Sequence, residues 1–294
     1  MATQSIDVCI CTFRRPSLAD TLASLSVQSL PSGWKMRVIV ADNDDHDARR
    51  TEIEQAARSM GLNLHYLHAP RRNISIARNA CLSAAAADWV AFIDDDEVAS
   101  EEWLSKLLAH AADADIVFGV SKAIYQPSAP SWVVEADFHS NRLEGNDASW
   151  NGYTANVLIS GAFLKASPIC FREDLGQTGG EDTHFFFEAH VAGARFGYAP
   201  DALVCETVEP RRATRRWLLL RRYRAGQIHY LLLKRVGNSM GGSAAAALKA
   251  IYCFGAALLM LPSPVRFAKW ALRCALHVGV VAAAVGFAPY REYR

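Results

Sequence analysis

Asp94-Asp95-Asp96-Glu97 puts four carboxylates on consecutive residues directly after the apolar run Trp89–Ile93. Forced together without a cation, such acids repel one another, which raises their pKa values or costs stability. A hard cation removes the conflict, and oxygen-only ligands suit Mg²⁺ or Mn²⁺. Magnesium commonly binds through one or two carboxylates plus substrate phosphates, so a diphosphate ligand fits this cluster. The competing reading is a solvated acidic turn capping the next helix, because helix N-termini favour acids. A second acidic group, Asp42-Asn43-Asp44-Asp45, follows the run Met36–Ala41. A third, Glu181-Asp182, follows Gln177-Thr178-Gly179-Gly180, a loop flexible enough to shape a pocket.

The elements that must position these acids alternate along the first 120 residues. Ile6–Cys11 reads as a strand, followed by the loop Thr12-Phe13-Arg14-Arg15. Pro16 and Ser17 then start a helix, with Asp20 at capping-box-like spacing and Leu18, Leu22 and Leu25 on one face. Met36–Ala41 is a second strand, Asp47–Met60 a polar helix ended by Gly61, and Leu62–Leu67 a third strand. Ile74–Ala86 reads as a small-residue helix and Trp89–Ile93 as a fourth strand buried on both faces. A helix near Ser100 and a fifth strand, Ile116–Val120, follow. This alternation predicts a parallel α/β sheet with right-handed crossovers. Ligands of such sheets sit outside the carboxyl ends of the strands, where the polar clusters fall.

Composition narrows the class. A hydrophobic content of 51% over 294 residues permits a large core, and 21% charged residues with seven Trp exclude a mainly disordered chain. Seven cysteines occur with no CxxC pair, which supports neither a disulfide framework nor a zinc site. The N-terminus lacks the basic and apolar regions of a signal peptide, and together these points favour a reducing, cytoplasmic location. The net charge of +1 conceals two unlike halves. Residues 1–190 hold 26 acids and 15 bases, a balance of −11; residues 191–294 hold 4 acids and 16 bases, a balance of +12. The C-terminal part is therefore expected to face an anionic partner.

In order, IDVCICTFRR (6–15), Val40-Ala41-Asp42-Asn43, NISIARN (73–79), FIDDDE (92–97) and Gly179-Gly180-Glu181-Asp182 resemble the inverting family 2 glycosyltransferases of GT-A fold. Within that family the pattern is similar to bacterial exopolysaccharide glucosyltransferases of the succinoglycan type. The likeness covers roughly residues 5–225. It implies a Rossmann-like, mostly parallel sheet flanked by helices, with a nucleotide-binding half over about 1–120 and an acceptor half over about 121–225. Residues 226–294 would form a membrane-associating helical appendage.

The resemblance also implies residue roles. Thr12, Phe13 and Arg14 would line the nucleoside pocket, Asp42 would accept a hydrogen bond from the base, and Arg78 would contact the nucleotide. Asp94 and Asp96 would be the outer acids of the DxD motif, with Asp96 the direct Mg²⁺ or Mn²⁺ ligand and Asp94 near ribose or metal. Asp95 fills a place often taken by a small residue. Inverting displacement of a nucleoside diphosphate needs a carboxylate to deprotonate the acceptor hydroxyl, and the family assigns this to Asp182, with Glu181 orienting the acceptor or a turn. The competing readings are an Asx-turn acid for Asp42, a surface helix arginine for Arg78 and a helix cap for Glu181-Asp182. His184 could also act, although packing is the simpler role. Asn156 lies in Gly152–Leu158, which resembles the segment preceding the acceptor pocket, and Trp132 and Trp150 are candidate sugar-stacking aromatics.

Residues 211–224, RRATRRWLLLRRYR, carry seven arginines around an apolar centre. Arg215-Arg216-Trp217 resembles the family's Q/RxxRW element, but Ala213 stands at its first position, which suits single-sugar addition over processive synthesis. These arginines are expected to meet a departing diphosphate, a lipid-linked acceptor or anionic headgroups, unless they form a solvated face. Nucleic acid is not expected, since no binding motif accompanies the patch. The apolar stretches Ala244–Leu261 and Ala271–Pro289 approach the ~20 residues needed to span a bilayer. The connection Pro262–Trp270 carries Arg266 and Lys269, and a spanning hairpin would leave this basic connection outside. A shallow monotopic or re-entrant hairpin is therefore favoured over a transmembrane pair, with a soluble helical subdomain as the third reading. The resulting expectation is an enzyme at the cytoplasmic face of the cell membrane, moving a sugar, glucose first, from a UDP-linked donor to a lipid-linked saccharide. A nucleotide-sugar-binding scaffold without turnover, and a metal-dependent phosphohydrolase, are the competing functions.

Overall fold

A computed structural model describes residues 4–142 and 151–288 of the chain, so Trp150 and Pro289 lie outside the described residues. In chain order the strands are β1 (Gln4–Thr12), β2 (Trp34–Asp42), β3 (Leu64–His68), β4 (Trp89–Ile93), β5 (Glu97–Ala99), β6 (Ile116–Tyr125), β7 (Asn156–Ser160) and β8 (Phe196–Val208). The helices are α1 (Leu18–Ser26), α2 (Arg50–Ser59), α3 (Ile74–Ala84), α4 (Trp103–Ala109), α5 (Ser131–Ala136), α6 (Gly161–Ala166), α7 (Glu181–Val191), α8 (Arg215–Arg235), α9 (Ser239–Leu259) and α10 (Pro264–Ala284). Two compact units result. One comprises Met1–Ala123, Ser140–Gln177 and Glu181–Thr207; the other comprises Ile124–His139, Thr178–Gly180 and Val208–Arg294.

The first unit is built on a sheet of order β3-β2-β1-β4-β7-β6-β8-β5. β1 pairs in parallel with β2 and β4, and β2 with β3, in a register that sets Thr12 beside Asp42. The sheet then changes direction. β7 is antiparallel to both β4 and β6, and β5 is antiparallel to β8. The strand expected over 116–120 thus exists and runs on to Tyr125, but it lies between β7 and β8, and its pairing with β7 is antiparallel, which needs no crossover helix.

Side-chain alternation divides the core. Ile6, Val8 and Ile10 of β1 pack with Leu18, Leu22 and Leu25 of α1 and with Trp103, Leu104 and Leu107 of α4. Cys9 and Cys11 point to the opposite face, with Ala77 and Cys81 of α3 and Phe185 and Phe186 of α7. Both faces are therefore covered, which explains the unbroken apolar runs. The exception in β1 is Asp7, whose side chain is 3% exposed. It accepts hydrogen bonds from Arg37 Nε and Nη2 (2.7 and 2.8 Å) and from the amides of Ala86 and Ala87 (2.8 and 3.0 Å). Burial works to raise its pKa, but these donors outweigh it and hold the carboxyl below its ordinary value.

Local starts and stops differ in part from expectation. Ser17 is the N-cap of α1 in αR conformation and makes no side-chain cap bond. The amide of Asp20 instead bonds the Ser17 carbonyl, so no capping box forms. α2 starts at Arg50 rather than Asp47, after a turn in which the Arg50 amide bonds the Asp47 carbonyl. Asn73 does cap α3, its side chain accepting from the amides of Ser75 and Ile76.

In the second unit, α8 and α10 cross through Gly226 and Gly279. A Cβ at either would lie 1.9 Å from a carbonyl oxygen of the facing helix, Leu276 O and Tyr223 O respectively. This close packing groups the arginines of 211–224 with the apolar helices rather than with a domain ending at residue 225. α9 and α10 are each 21 residues long and apolar enough, by length and composition, to cross a membrane. Their connection is shorter than Pro262–Trp270, because Ser263 and Pro264 begin α10 and place Arg266 and Lys269 in its first turns.

Candidate active site

The carboxyl ends of β1, β2 and β4 bring their loops together. Thr12 is buried and donates to Asp95 Oδ2 at 2.7 Å. Arg14, with φ of +55°, donates from Nε and Nη2 to both oxygens of Asp44 at 2.7 and 2.6 Å. That fork holds the Asp44 carboxyl down at about 2. Phe13 is 38% exposed and carries the guanidinium of Arg14 at 5.1 Å and that of Arg72 at 5.6 Å from its ring centroid. Arg72 in turn donates to Asp45. Asp42 is covered. Tyr66 Oη donates to its Oδ2 at 2.9 Å and the Asp44 amide to its Oδ1 at 3.0 Å. Burial, then this bond to a carboxylate, push the Tyr66 phenol well above its usual range. A base hydrogen bond to Asp42 would use the lone pairs these contacts leave.

The acids after β4 sit in different surroundings. Arg15 Nη1 meets Asp96 Oδ2 at 2.5 Å and its Nε lies 3.6 Å from Asp95 Oδ1. Asp94 keeps 45% of its side chain open, yet its neighbours withdraw enough water to push its carboxyl up to about 7. The negative charges of Asp96 and Asp182 add to that rise, and Arg78 opposes it. Asp95 is pushed up to about 6 by burial against the pull of Arg15. Beneath them Glu97 is buried, accepting from Ser121 Oγ at 2.6 Å and from the Asp94 amide at 3.1 Å. Burial and the Asp94 charge raise its carboxyl strongly.

This excess of negative charge tests the fit of a cation. Asp94 and Asp96 are hard oxygen donors, and a divalent ion bound to them would offset the crowding of negative charge. Among the described residues no group of three or more His, Cys, Asp or Glu is placed to cage an ion alone. The donor set matches the Mg²⁺ pattern of one or two carboxylates completed by ligand oxygens and water.

Arg78 joins these acids to the start of α7, a hundred residues downstream. Its side chain is 7% exposed. Nη1 donates to Glu181 Oε1 at 2.6 Å and to Asp182 Oδ1, while Nη2 lies 3.8 Å from Asp94 Oδ1. Burial works against this cation, but Asp182, Glu181 and Asp94 overcome it and raise its pKa further. α3 is fixed for this purpose by Asn79, which exchanges two 2.8 Å bonds with the backbone of Phe171, and by Asn73 Nδ2, which donates to Glu173 O. The Glu181 carboxyl is raised by burial and by the Asp182 charge, and its Oε2 is enclosed with no hydrogen-bond partner among the described residues. Asp182 Oδ2 accepts from the Thr154 hydroxyl at 3.0 Å and the Thr154 amide at 3.3 Å.

Thr12, Phe13, Arg14, Asp42, Arg78, Asp94, Asp95, Asp96, Glu181 and Asp182 thus belong to one unit. Asn156 does not serve as expected. It is buried in β7, where Oδ1 accepts from Trp103 Nε1 at 2.8 Å and Nδ2 donates to Val120 O and Ala202 O. Every polar atom of the side chain is spent on holding the sheet. His184 lies on α7 with Nε2 3.7 Å from Glu188 Oε1. The sequence assigns no individual role to Thr154, Arg15 or Glu97. All three lie inside quoted segments, Arg15 in 6–15, Glu97 in 92–97 and Thr154 in 152–158, but only their distant partners disclose what they do.

Arg215, Arg216 and Trp217 belong to the second unit, at the start of α8, where Thr214 caps the helix by accepting from the Trp217 amide. Trp217 stacks on His139 (5.4 Å, 20°) and lies under Arg212 and Arg221. Burial and those cations lower the His139 pKa to about 4. Arg215 covers the ring of Trp132 at 5.5 Å, so that face is not open for a sugar.

Two family models match the chain: glycosyl transferase family 2 over residues 7–166 and glycosyl transferase family group 2 over residues 89–285. The chain is 40% identical to the succinoglycan biosynthesis protein ExoM of Rhizobium meliloti (strain 1021), covering 99% of this chain and 96% of that protein. Among solved structures it is similar to the mannosyltransferase PcManGT from Pyrobaculum calidifontis in complex with GDP-Man and Mn²⁺. The TM-score is 0.65 at 20% identity, over 95% of this chain and 86% of that one. It is also similar to S. aureus TarS 1–349 in complex with UDP-GlcNAc, with a TM-score of 0.55 at 18% identity over 99% and 93% of the two chains. The chain spans about half, 52%, of the longer TarS structure. At these identities the structural likeness speaks for the fold.

Proposed function

The chain belongs to glycosyl transferase family 2, of GT-A fold, and from that membership we propose that it transfers a sugar from a nucleotide-sugar to a lipid-linked saccharide with inversion. The donor put forward first is UDP-glucose, the setting is exopolysaccharide synthesis, and the location is the cytoplasmic face of the cell membrane. The observation that carries this reading is the meeting of Asp94, Arg78, Glu181 and Asp182. It sets a donor-side acid and a base candidate on one guanidinium.

In this mechanism Asp182 deprotonates the acceptor hydroxyl as it attacks the anomeric carbon. Thr154 and Arg78 hold the two oxygens of its carboxylate in place. Asp94 and Asp96 would hold Mg²⁺ or Mn²⁺, which when bound absorbs charge growing on the leaving diphosphate. Thr12, Phe13, Arg14 and Asp42 form the nucleoside side, with Asp95 fixed by Thr12. Arg215 and Arg216 are proposed, on the family resemblance, to meet the diphosphate of a lipid-linked acceptor. An α-linked donor then gives a β-linked product.

Thermal-shift measurements on a panel of nucleotide-sugars, each with and without Mn²⁺, test the donor half. A UDP-sugar is expected to raise Tm only with the metal present. No shift with any nucleotide-sugar would overturn the donor site.

A further inference from the structure

α10 has three faces, and each meets different chemistry. One packs backbone to backbone on α8 through Gly279 and Gly226. A second meets α9, where Cys274 Sγ approaches Ala250 O at 3.4 Å and Trp270 stands edge-on to Tyr252. The third is exposed, and from its N-terminal end it presents Arg266, Lys269 and Arg273, spaced to share one side of the helix. α9 is the converse. It buries only Ala246, Cys253 and Ala257 and leaves Leu248 and Ile251 71% exposed, Leu259 78% exposed, with Tyr252, Phe254 and Leu258 beside them. Lys249 is its only charged side chain.

A spanning pair conflicts with this arrangement. Arg273 is the tenth of the 21 residues of α10, so a spanning α10 would carry it to the bilayer centre, where an arginine is among the costliest side chains. Gly226 and Tyr223 of α8 pack on Leu276 and Gly279, in the C-terminal half of α10, so a spanning α10 would draw this arginine-rich stretch of α8 to the membrane with it. We propose that α9 lies along the surface of an anionic bilayer, its exposed apolar face in the acyl boundary. The basic stripe of α10 and the arginines of α8 then stand at headgroup level, and neither apolar helix spans. At 1.5 Å per residue α9 lays down a contact about 30 Å long. Lipid suits this face better than a second copy of the chain, because residues 191–294 carry 16 bases against 4 acids and a second copy would bring the same charge. The inference rests on the membrane part of the reading above and is independent of its chemistry.

The full chain, mixed with preformed phosphatidylcholine vesicles containing about 30 mol% phosphatidylglycerol, is expected to float with them. Binding should fall about tenfold on vesicles of phosphatidylcholine alone. Ile251→Asp with Leu258→Asp, both at exposed positions, should abolish flotation while leaving the thermal-shift response to donor and Mn²⁺ unchanged. In inverted membrane vesicles, whose cytoplasmic face is outward, a Pro262→Cys chain should react with a membrane-impermeant maleimide, above the background of the native cysteines. Protection of that cysteine on the cytoplasmic side, with labelling from outside the cell, means a spanning hairpin and overturns the proposal. Absence of flotation together with a dimer that the aspartates convert to monomer assigns the face to a second copy, and also overturns it. Because flotation needs neither donor nor turnover, a failed transfer assay leaves this result standing on its own.

Discussion

The two units of this protein handle charge in opposite ways. In the first, one guanidinium, Arg78, is enclosed with Glu181, Asp182 and Asp94, and its side chain is 7% exposed. In the second, the seven arginines of 211–224 are exposed or half-exposed, several of them lying on aromatic faces such as those of Trp217 and Trp132. A buried cluster tolerates no missing member, because the group left behind has neither water nor a partner. A surface array loses little when one charge goes, and acts through the sum. Substitutions in the two regions should therefore differ in kind as well as in size.

The largest effect is expected at Arg78. Arg78→Met leaves three acids around an uncharged side chain and should lower unfolding stability by about 3–5 kcal/mol in urea titrations. A loss below about 1 kcal/mol would show that the acids do not depend on this cation. Asp7→Asn comes next, since it replaces an acceptor that serves Arg37 and two amides. A loss of about 2 kcal/mol at neutral pH is expected. Because the folded Asp7 pKa is depressed, its contribution is fully present above the ordinary carboxylate value and is lost as pH falls through the folded one. The gap between wild type and Asp7→Asn should thus stay constant from neutral pH down to about 4 and close below it. A gap that does not change with pH would contradict the ion pair.

Thr154→Val removes one hydrogen bond to the Asp182 carboxylate while retaining shape and the amide bond. A fall in kcat of about tenfold, with donor KM unchanged, is the expected signature. Thr154→Ser should restore the rate, whereas a purely packing role would leave kcat of the Val chain intact. The smallest effect belongs to the second unit. Arg222→Gln should change stability by less than about 0.5 kcal/mol. It should nonetheless weaken flotation on anionic vesicles in a way that added salt masks.

Much of the first unit was legible because β1, β2 and β4 are covered on both faces, and such strands read as apolar runs ending in polar loops. The clusters at those ends follow from the register that sets Thr12 beside Asp42. What the sequence hid depends on partners far along the chain. Arg78 meets Asp182 across 104 residues and Thr154 meets Asp182 across 28, and no local pattern announces either pair. Asn156 illustrates the converse, since its position near the acceptor segment suggested a ligand role. Only the neighbouring Trp103, Val120 and Ala202 reveal a framework role. The antiparallel entry of β7 was hidden for the same reason, because three apolar residues, Val157–Ile159, do not disclose their direction. In the second unit the apolar lengths were plain, but the crossing of Gly226 with Gly279, which settles what α10 packs against, has no sequence signature of its own.

The central claim is that Asp182 is the base of a sugar transfer. It is tested most directly by following product formation from UDP-glucose with Mn²⁺ and membrane-derived acceptor, comparing the wild-type chain with Asp182→Asn. Transfer is expected to fall by about 10²–10⁴-fold, while the donor still raises Tm in the presence of Mn²⁺. Transfer by Asp182→Asn at the wild-type rate would contradict the account.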